Sequence, residues 1–257
     1  MERLASRKKH EISGNALRAW GMVFLAAGAI GRGVIQNGML GIGSISTQQL
    51  LEVMSASDAA MTLVTISLIL QGIETCAMPI FALLLTEGMQ HTKDVKAYFL
   101  RVLKLAIATE IPYNLAMGGK LLDLSSRNPV FSLVLCMVMV FLSNRYPTEK
   151  KCSKLIKAVI TAATMVWCEM LGIEFGSATV LVVAVMWGLR GNTLYRNFAG
   201  AAAAIVCTMF SPFFLAAPMG FMAVHFYEGE QGTTGRKVNY LAYPVMLIVA
   251  AAVGVFL

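Results

Sequence analysis

Residues 59–86 read AAMTLVTISLILQGIETCAMPIFALLLT, twenty-eight residues in which Glu74 is the only charge. A helix rises 1.5 Å per residue, and roughly 20 residues cross about 30 Å of hydrocarbon. A run this long and this apolar predicts a membrane helix. Pro79 lies inside it and predicts a kink. The run ends in a polar stretch, Thr86-Glu87-Gly88-Met89-Gln90-His91-Thr92.

The same pattern recurs on both sides. The 257 residues are 57% hydrophobic and 14% charged, with mean hydropathy +0.69. A soluble domain averages about 25% charged, so a soluble enzyme is excluded, and disorder is excluded with it. The expected architecture is all-α: one integral-membrane domain over residues 1–257, a polytopic transmembrane helical bundle of about eight spans, with seven to nine allowed. Residues 1–15 form a basic cytoplasmic tail. Spans are expected at Ala16–Gln36, Ala59–Thr86, Tyr98–Ala116, Pro129–Leu142, Leu155–Leu171, Ser177–Leu189, Phe198–Val224 and Asn239–Leu257. The seventh contains Pro212 and Pro218 and reads as a span or a span plus a re-entrant piece. Thr47 to Met54, between the first two spans, has the spacing of a short surface helix.

The net charge of +7 sits in the short loops, as the positive-inside rule requires. With the N-terminus inside, twelve basic loop residues fall inside and four outside, the four being Lys120, Arg127, Arg236 and Lys237. The protein is expected in a membrane with no nucleic-acid partner. The apolar stretch Ala19–Ile30 lacks a clean small-x-small site and is interrupted by Arg32, so it reads as a retained first helix. The five cysteines form no C-x-x-C pair, and no metal site is expected. No P-loop, GxGxxG, H-E-x-x-H or G-x-S-x-G context occurs.

An ionisable residue within a span needs a partner or a purpose. Arg18, Lys104 and Lys157 lie close enough to the cytoplasmic ends to snorkel. Glu74, Arg101, Glu110 and Glu169 do not. They read either as interhelical pairs, for instance Arg101 with a neighbouring glutamate, or as the lining of a polar cavity open to the cytoplasm. Glu87 and His91 are four apart and share a helix face, where a carboxylate and an imidazole can move a proton. His10 reads as solvated, and His225 as an interfacial residue at the outer end of the seventh span.

The run from Met78 to Gly88 followed by His91-Thr92 resembles the most recognisable block of the TraX family. The similarity continues through Tyr98, Leu100-Arg101, Glu110-Ile111-Pro112-Tyr113-Asn114, Asn128 and Phe131. It resumes at Tyr227-Glu228-Gly229-Glu230-Gln231-Gly232 and Ala242-Tyr243-Pro244. The resemblance implies a multi-pass protein of the bacterial inner membrane, related to acyltransferases and associated with conjugation. It would take acetyl-CoA or another acyl-CoA from the cytoplasm and modify a pilin-like peptide amine, a glycan or a lipid. On that reading Glu87 and His91 are the catalytic acid/base pair, while Arg101, Glu110 and Asn114 hold the donor. The chain departs from the family pattern at Gly28-Ala29, where Asp-His is usual, at Ile73-Glu74, where Gly-Arg is usual, and at Met246, where the closing His is usual. These departures leave two alternatives: a non-catalytic membrane binding or assembly protein, and a small-molecule transporter.

Overall fold

The computed structural model describes residues 12–42, 47–123, 126–147, 151–227, 229 and 236–256. Among them the chain is helical apart from turns and two isolated β-bridges, Ile12 with Tyr227 and Arg127 with Ile173. Two helical stretches, Gly14–Met39 and Asp58–His91, are long and apolar enough to cross a membrane by length and composition.

Short polar side chains start several helices by accepting a free first-turn N–H. Ser13 caps α1 (Gly14–Ala29) by accepting from Ala16 N–H at 3.3 Å. After α2 (Thr47–Ala56), the expected surface helix, Ser57 caps α3 (Asp58–Glu74) at 3.1 Å. Following α4 (Ala77–His91), Asp94 caps α5 (Val95–Gly118) at 2.8 Å, and α5 closes on Gly119 at φ 62. Then come α6 (Val130–Ser143), α7 (Lys151–Met170), α8 (Gly176–Gly188) and α9 (Thr193–Val206). The chain ends with α10 (Ala217–His225) and α11 (Arg236–Phe256).

The kink expected at Pro79 separates α3 from α4. Proline lacks an N–H and its ring crowds the carbonyl four residues back, here that of Thr75. That carbonyl accepts from Met78 N–H instead, at 3.1 Å, in a tight turn through Thr75 and Cys76. A second irregularity continues α1, which becomes π-helical over Ile30–Met39. Glycines let this region approach its neighbours closely. A Cβ on Gly33 would stand 2.5 Å from the Ala116 carbonyl oxygen, and one on Gly28 would stand 2.1 Å from the Glu74 carboxyl group. The centre of the bundle is α4, α6 and α8, whose Ile80, Leu83, Met137, Val140, Val180 and Met186 are buried.

Contacts at the two ends trace the path. At one end Trp187 Nε1–H donates to Asn144 Oδ1 at 3.1 Å, joining the ends of α8 and α6. Ile12 N–H donates to the Phe226 carbonyl at 3.0 Å, joining the start of α1 to the end of α10. At the other end Arg127 N–H donates to the Gly172 carbonyl at 2.7 Å, tying the α5–α6 connection to the α7–α8 turn.

The expected seventh span is thereby revised. Residues 198–224 do not run from end to end. α9 enters the bundle, breaks into 3₁₀ turns at Cys207–Met209 and Pro212–Leu215, and returns as α10 to the end where it began. His225 thus lies at the same end as the start of α1, not at the opposite one. The proline-rich tip packs on the α3–α4 break: Thr75 Oγ1 donates to the Phe213 carbonyl at 3.0 Å, and the Cys76 thiol lies 3.2 Å from the Ala216 carbonyl oxygen.

Candidate functional site

A cavity of about 680 Å³ runs along α4. Its α4 wall is the stripe Ala77, Met78, Phe81, Leu84, Leu85, Gly88 and His91, the three- and four-residue spacing of one helix face, and Glu74 at the end of α3 lies beyond its lower end. At 1.5 Å per residue the stripe is about 21 Å long. Met22 and Leu25 of α1, Val102 and Leu105 of α5, and Val130 and Leu133 of α6 complete apolar walls.

The mouth is polar and cationic, lined by Arg18, Glu87, His91, Lys93, Asp94 and Arg101. Two of the expected interactions take a different form. Among the described residues no carboxylate pairs with Arg101, whose guanidinium lies over the Tyr98 ring at 5.7 Å. Glu87 does meet His91, with Oε2 3.4 Å from Nδ1, but Glu87 Oε1 also accepts from Arg196 Nη1 at 3.1 Å. Arg196 is buried, whereas His91 is 64% exposed. Tyr227 sits beside this group, and burial pushes its phenol above the ordinary value, with the Glu87 carboxylate acting in the same direction.

The floor is built differently. Arg32, on the π-helical part of α1, donates to Glu74 Oε2 at 2.9 Å through Nη2 and to Glu174 Oε1 through Nη1. Glu74 is 2% exposed. It occupies the space that any side chain on Gly28 would need. Glu174 reaches the cluster from the α7–α8 turn, next to Phe175, the only non-glycine among the described residues with a left-handed backbone (φ 57). A non-glycine residue holds that conformation only where its surroundings impose it. Here the Phe175 ring packs edge-on against Phe214 of the hairpin tip at 5.5 Å, with the Arg32 guanidinium 5.9 Å from its centre. Thr75, Thr179 and Tyr243 also face the floor.

Glu110 and Asn114, expected beside Arg101, do not line this cavity. Glu110 Oε2 accepts from the Asn128 N–H at 3.2 Å, in a network that includes Thr109 and the Tyr243 hydroxyl. Asn114 faces a separate small pocket on the Arg32 side of the ion cluster. Glu169, also singled out in the sequence, is exposed and accepts from the Ser177 hydroxyl. Sequence reading missed Glu174 and Arg196 as partners. Glu174 lies in a turn that resembled an ordinary loop, and Arg196 resembled any cytoplasmic-end basic residue.

The family profile described as TraX protein matches residues 52–254. The chain belongs to the TraX family. The match takes in α3 to α11 almost whole and leaves α1 outside it, so the TraX-matching part supplies Glu74 and Glu174 while Arg32 comes from beyond it. No curated protein and no solved structure matches the chain.

Proposed function

We propose that this TraX-family chain is a multi-pass protein of the bacterial inner membrane that transfers an acyl group from acyl-CoA. Seven helical segments run end to end: α1, the broken α3–α4 pair, α5, α6, α7, α8 and α11. Large apolar side chains face outward on the flanks, among them Trp167, Phe198 and Met209, as a lipid-facing surface requires. With α9 and α10 forming a re-entrant hairpin, the start of α11 joins the N-terminal end of the bundle. Arg236 and Lys237 then move to the inside, and the basic bias becomes fourteen against two. The cavity mouth faces the cytoplasm.

The cavity carries the functional reading. Arg18, Lys93 and Arg101 at its mouth suit the phosphates of a CoA nucleotide, and the apolar stripe suits its flexible arm and acyl chain. The floor holds two carboxylates on one guanidinium, so it can take up a proton without leaving Arg32 unpaired. We assign the base to Glu74 and place Glu87 and His91 at the donor's charged end. An acceptor loses its proton to Glu74 and attacks the thioester carbonyl carbon. The C–S bond breaks, and the departing thiolate takes that proton.

Purified full-length protein with acetyl-CoA and host membrane extract tests this by release of free CoA. Release should require the extract and fall at least 100-fold in Glu74→Gln, the scale of losing a base. His91→Ala should raise KM and leave kcat within a few-fold. Release that depends on His91 and survives Glu74→Gln would return the base to the Glu87–His91 pair. No release from folded protein would favour the binding-protein alternative.

A further inference from the structure

Arg32 stands on a segment, Ile30–Met39, that is wound as a π-helix over ten residues. Helices of this kind are rare and mostly confined to a single turn, with bonds to the fifth residue back in place of the fourth. The pattern persists at the end of the segment, where Leu40 N–H donates to the Ile35 carbonyl at 3.0 Å. Local propensity gives no reason for it, because Gly31, Gly33 and Gly38 disfavour any helix. The winding is held from outside.

Two side chains do the holding. Ser67 of α3, fully buried, donates its hydroxyl to the Gly31 carbonyl at 2.9 Å. Gln71 Nε2 donates to the same Ser67 oxygen at 3.0 Å, which turns the Ser67 hydrogen toward Gly31. Asn37 Nδ2 donates to the Ala116 and Met117 carbonyls at 3.2 and 2.8 Å. Both carbonyls lie in the last turn of α5, where a helix has no N–H of its own to offer them. The backbone is seated just as closely. A Cβ on Gly31 would stand 2.9 Å from the Ser67 carbonyl oxygen. The two anchors bracket Arg32 along the chain.

We propose that Ser67 and Asn37 are positioning residues, which fix the π winding of α1 and so hold the Arg32 guanidinium between Glu74 and Glu174. Successive residues of a helix lie about 100° apart around its axis. A slip of this segment by a single residue would therefore carry Arg32 off the Glu74 carboxylate that it meets at 2.9 Å. Neither Ser67 nor Asn37 lines the large cavity, so both act through Arg32. The holding of Arg32 rests on these contacts alone, and its bearing on catalysis rests on the acyl-transfer reading with Glu74 as base.

The test reads Glu74 directly, without acyl-CoA. Dicyclohexylcarbodiimide, an apolar reagent, adds to protonated carboxyl groups and leaves a stable acylurea. A buried carboxylate deprived of its cation takes up a proton, so labelling of Glu74, located by mass spectrometry, reports the loss of Arg32. Full-length protein in detergent is compared as wild type, Ser67→Ala, Asn37→Leu, Arg32→Leu and Thr86→Ala. The last removes a buried hydroxyl that donates within α4 and controls for general loosening. Labelling should be low in wild type and Thr86→Ala, highest in Arg32→Leu, and raised several-fold in Ser67→Ala and Asn37→Leu. Labelling in either positioning variant no higher than in wild type overturns the proposal, as does an equal rise in Thr86→Ala. An unlabelled Glu74 in Arg32→Leu overturns it too, because Arg32 would not then govern the carboxyl group. CoA release is measured alongside. In Ser67→Ala and Asn37→Leu kcat should fall about 10–100-fold, the scale of a small misplacement, with KM within a few-fold of wild type. Raised labelling with no release from wild type sinks the acyl-transfer reading and leaves the positioning standing. Raised labelling with kcat unchanged also leaves the positioning standing, and removes Glu74 as the base.

Discussion

The mouth and the floor of the large cavity use the same chemical groups to opposite effect. At the mouth Glu87 pairs with Arg196 and touches His91, at a place where one partner is largely in solvent. At the floor Glu74 and Glu174 share Arg32 with little access to water. The solvent-facing Glu87–His91 contact contributes about 0–1 kcal/mol and is screened by salt. A buried pair costs several kcal/mol to desolvate, and breaking one costs more than the pair contributes. Burial, rather than residue type, separates the solvent-facing His91 from the enclosed Glu74.

The largest expected effect comes from Arg32→Leu. Two carboxylates would be left without their cation, and stability should fall by about 3–5 kcal/mol, measured by reversible denaturation in detergent. Wild-type stability in that variant would show that the floor does not depend on the ion pair. Next is Gly28→Ala. In a helix this change ordinarily gains about 1 kcal/mol. Here the new methyl meets the Glu74 carboxyl, so a loss of about 1–3 kcal/mol is expected, along with reduced CoA release. A net gain in stability would mean that Glu74 has room to move aside.

Smaller effects belong to the mouth. Arg101→Ala should raise KM for acyl-CoA several-fold, and the gap from wild type should narrow as salt rises from 50 to 500 mM, values on either side of the ~0.1 M at which screening reaches about 10 Å. A gap insensitive to salt would argue against a phosphate contact. His91→Ala should change stability by less than about 0.5 kcal/mol, as an exposed side chain usually does. A thermal melt showing a loss several times larger would place His91 in the same class as the floor.

Much of this fold was legible in the sequence because it follows from local chemistry. The Pro79 break follows from a missing N–H, the α2 surface helix from amphipathic spacing, and the Glu87–His91 proximity from helix geometry. The polar cavity was legible as one of two explanations for acids within apolar runs. The direction of α10 was not, because an apolar segment has the same composition whether it crosses or returns; only the contact of Phe226 with Ile12 decides. Glu174 was equally hidden. It lies 142 residues from Arg32 along the chain, and no local pattern links a turn residue to a helix that far away. Glu74 was visible as a costly residue and Arg32 as an interruption of an apolar stretch, while their pairing depended on Gly28 leaving space that sequence reading took only as a departure.

The re-entrant hairpin bears on how the protein is made. Its arms have 14 and 9 residues, and the second returns to the end where the first began. Its tip binds the Thr75–Cys76 turn, which exists only after the α3–α4 segment is in place. On the proposed topology the hairpin waits at the cytoplasmic surface during synthesis and slots into an already assembled wedge. The floor of the cavity, braced by Phe214 against Phe175, is completed in that late step, so an immature chain carries the mouth before it carries the floor.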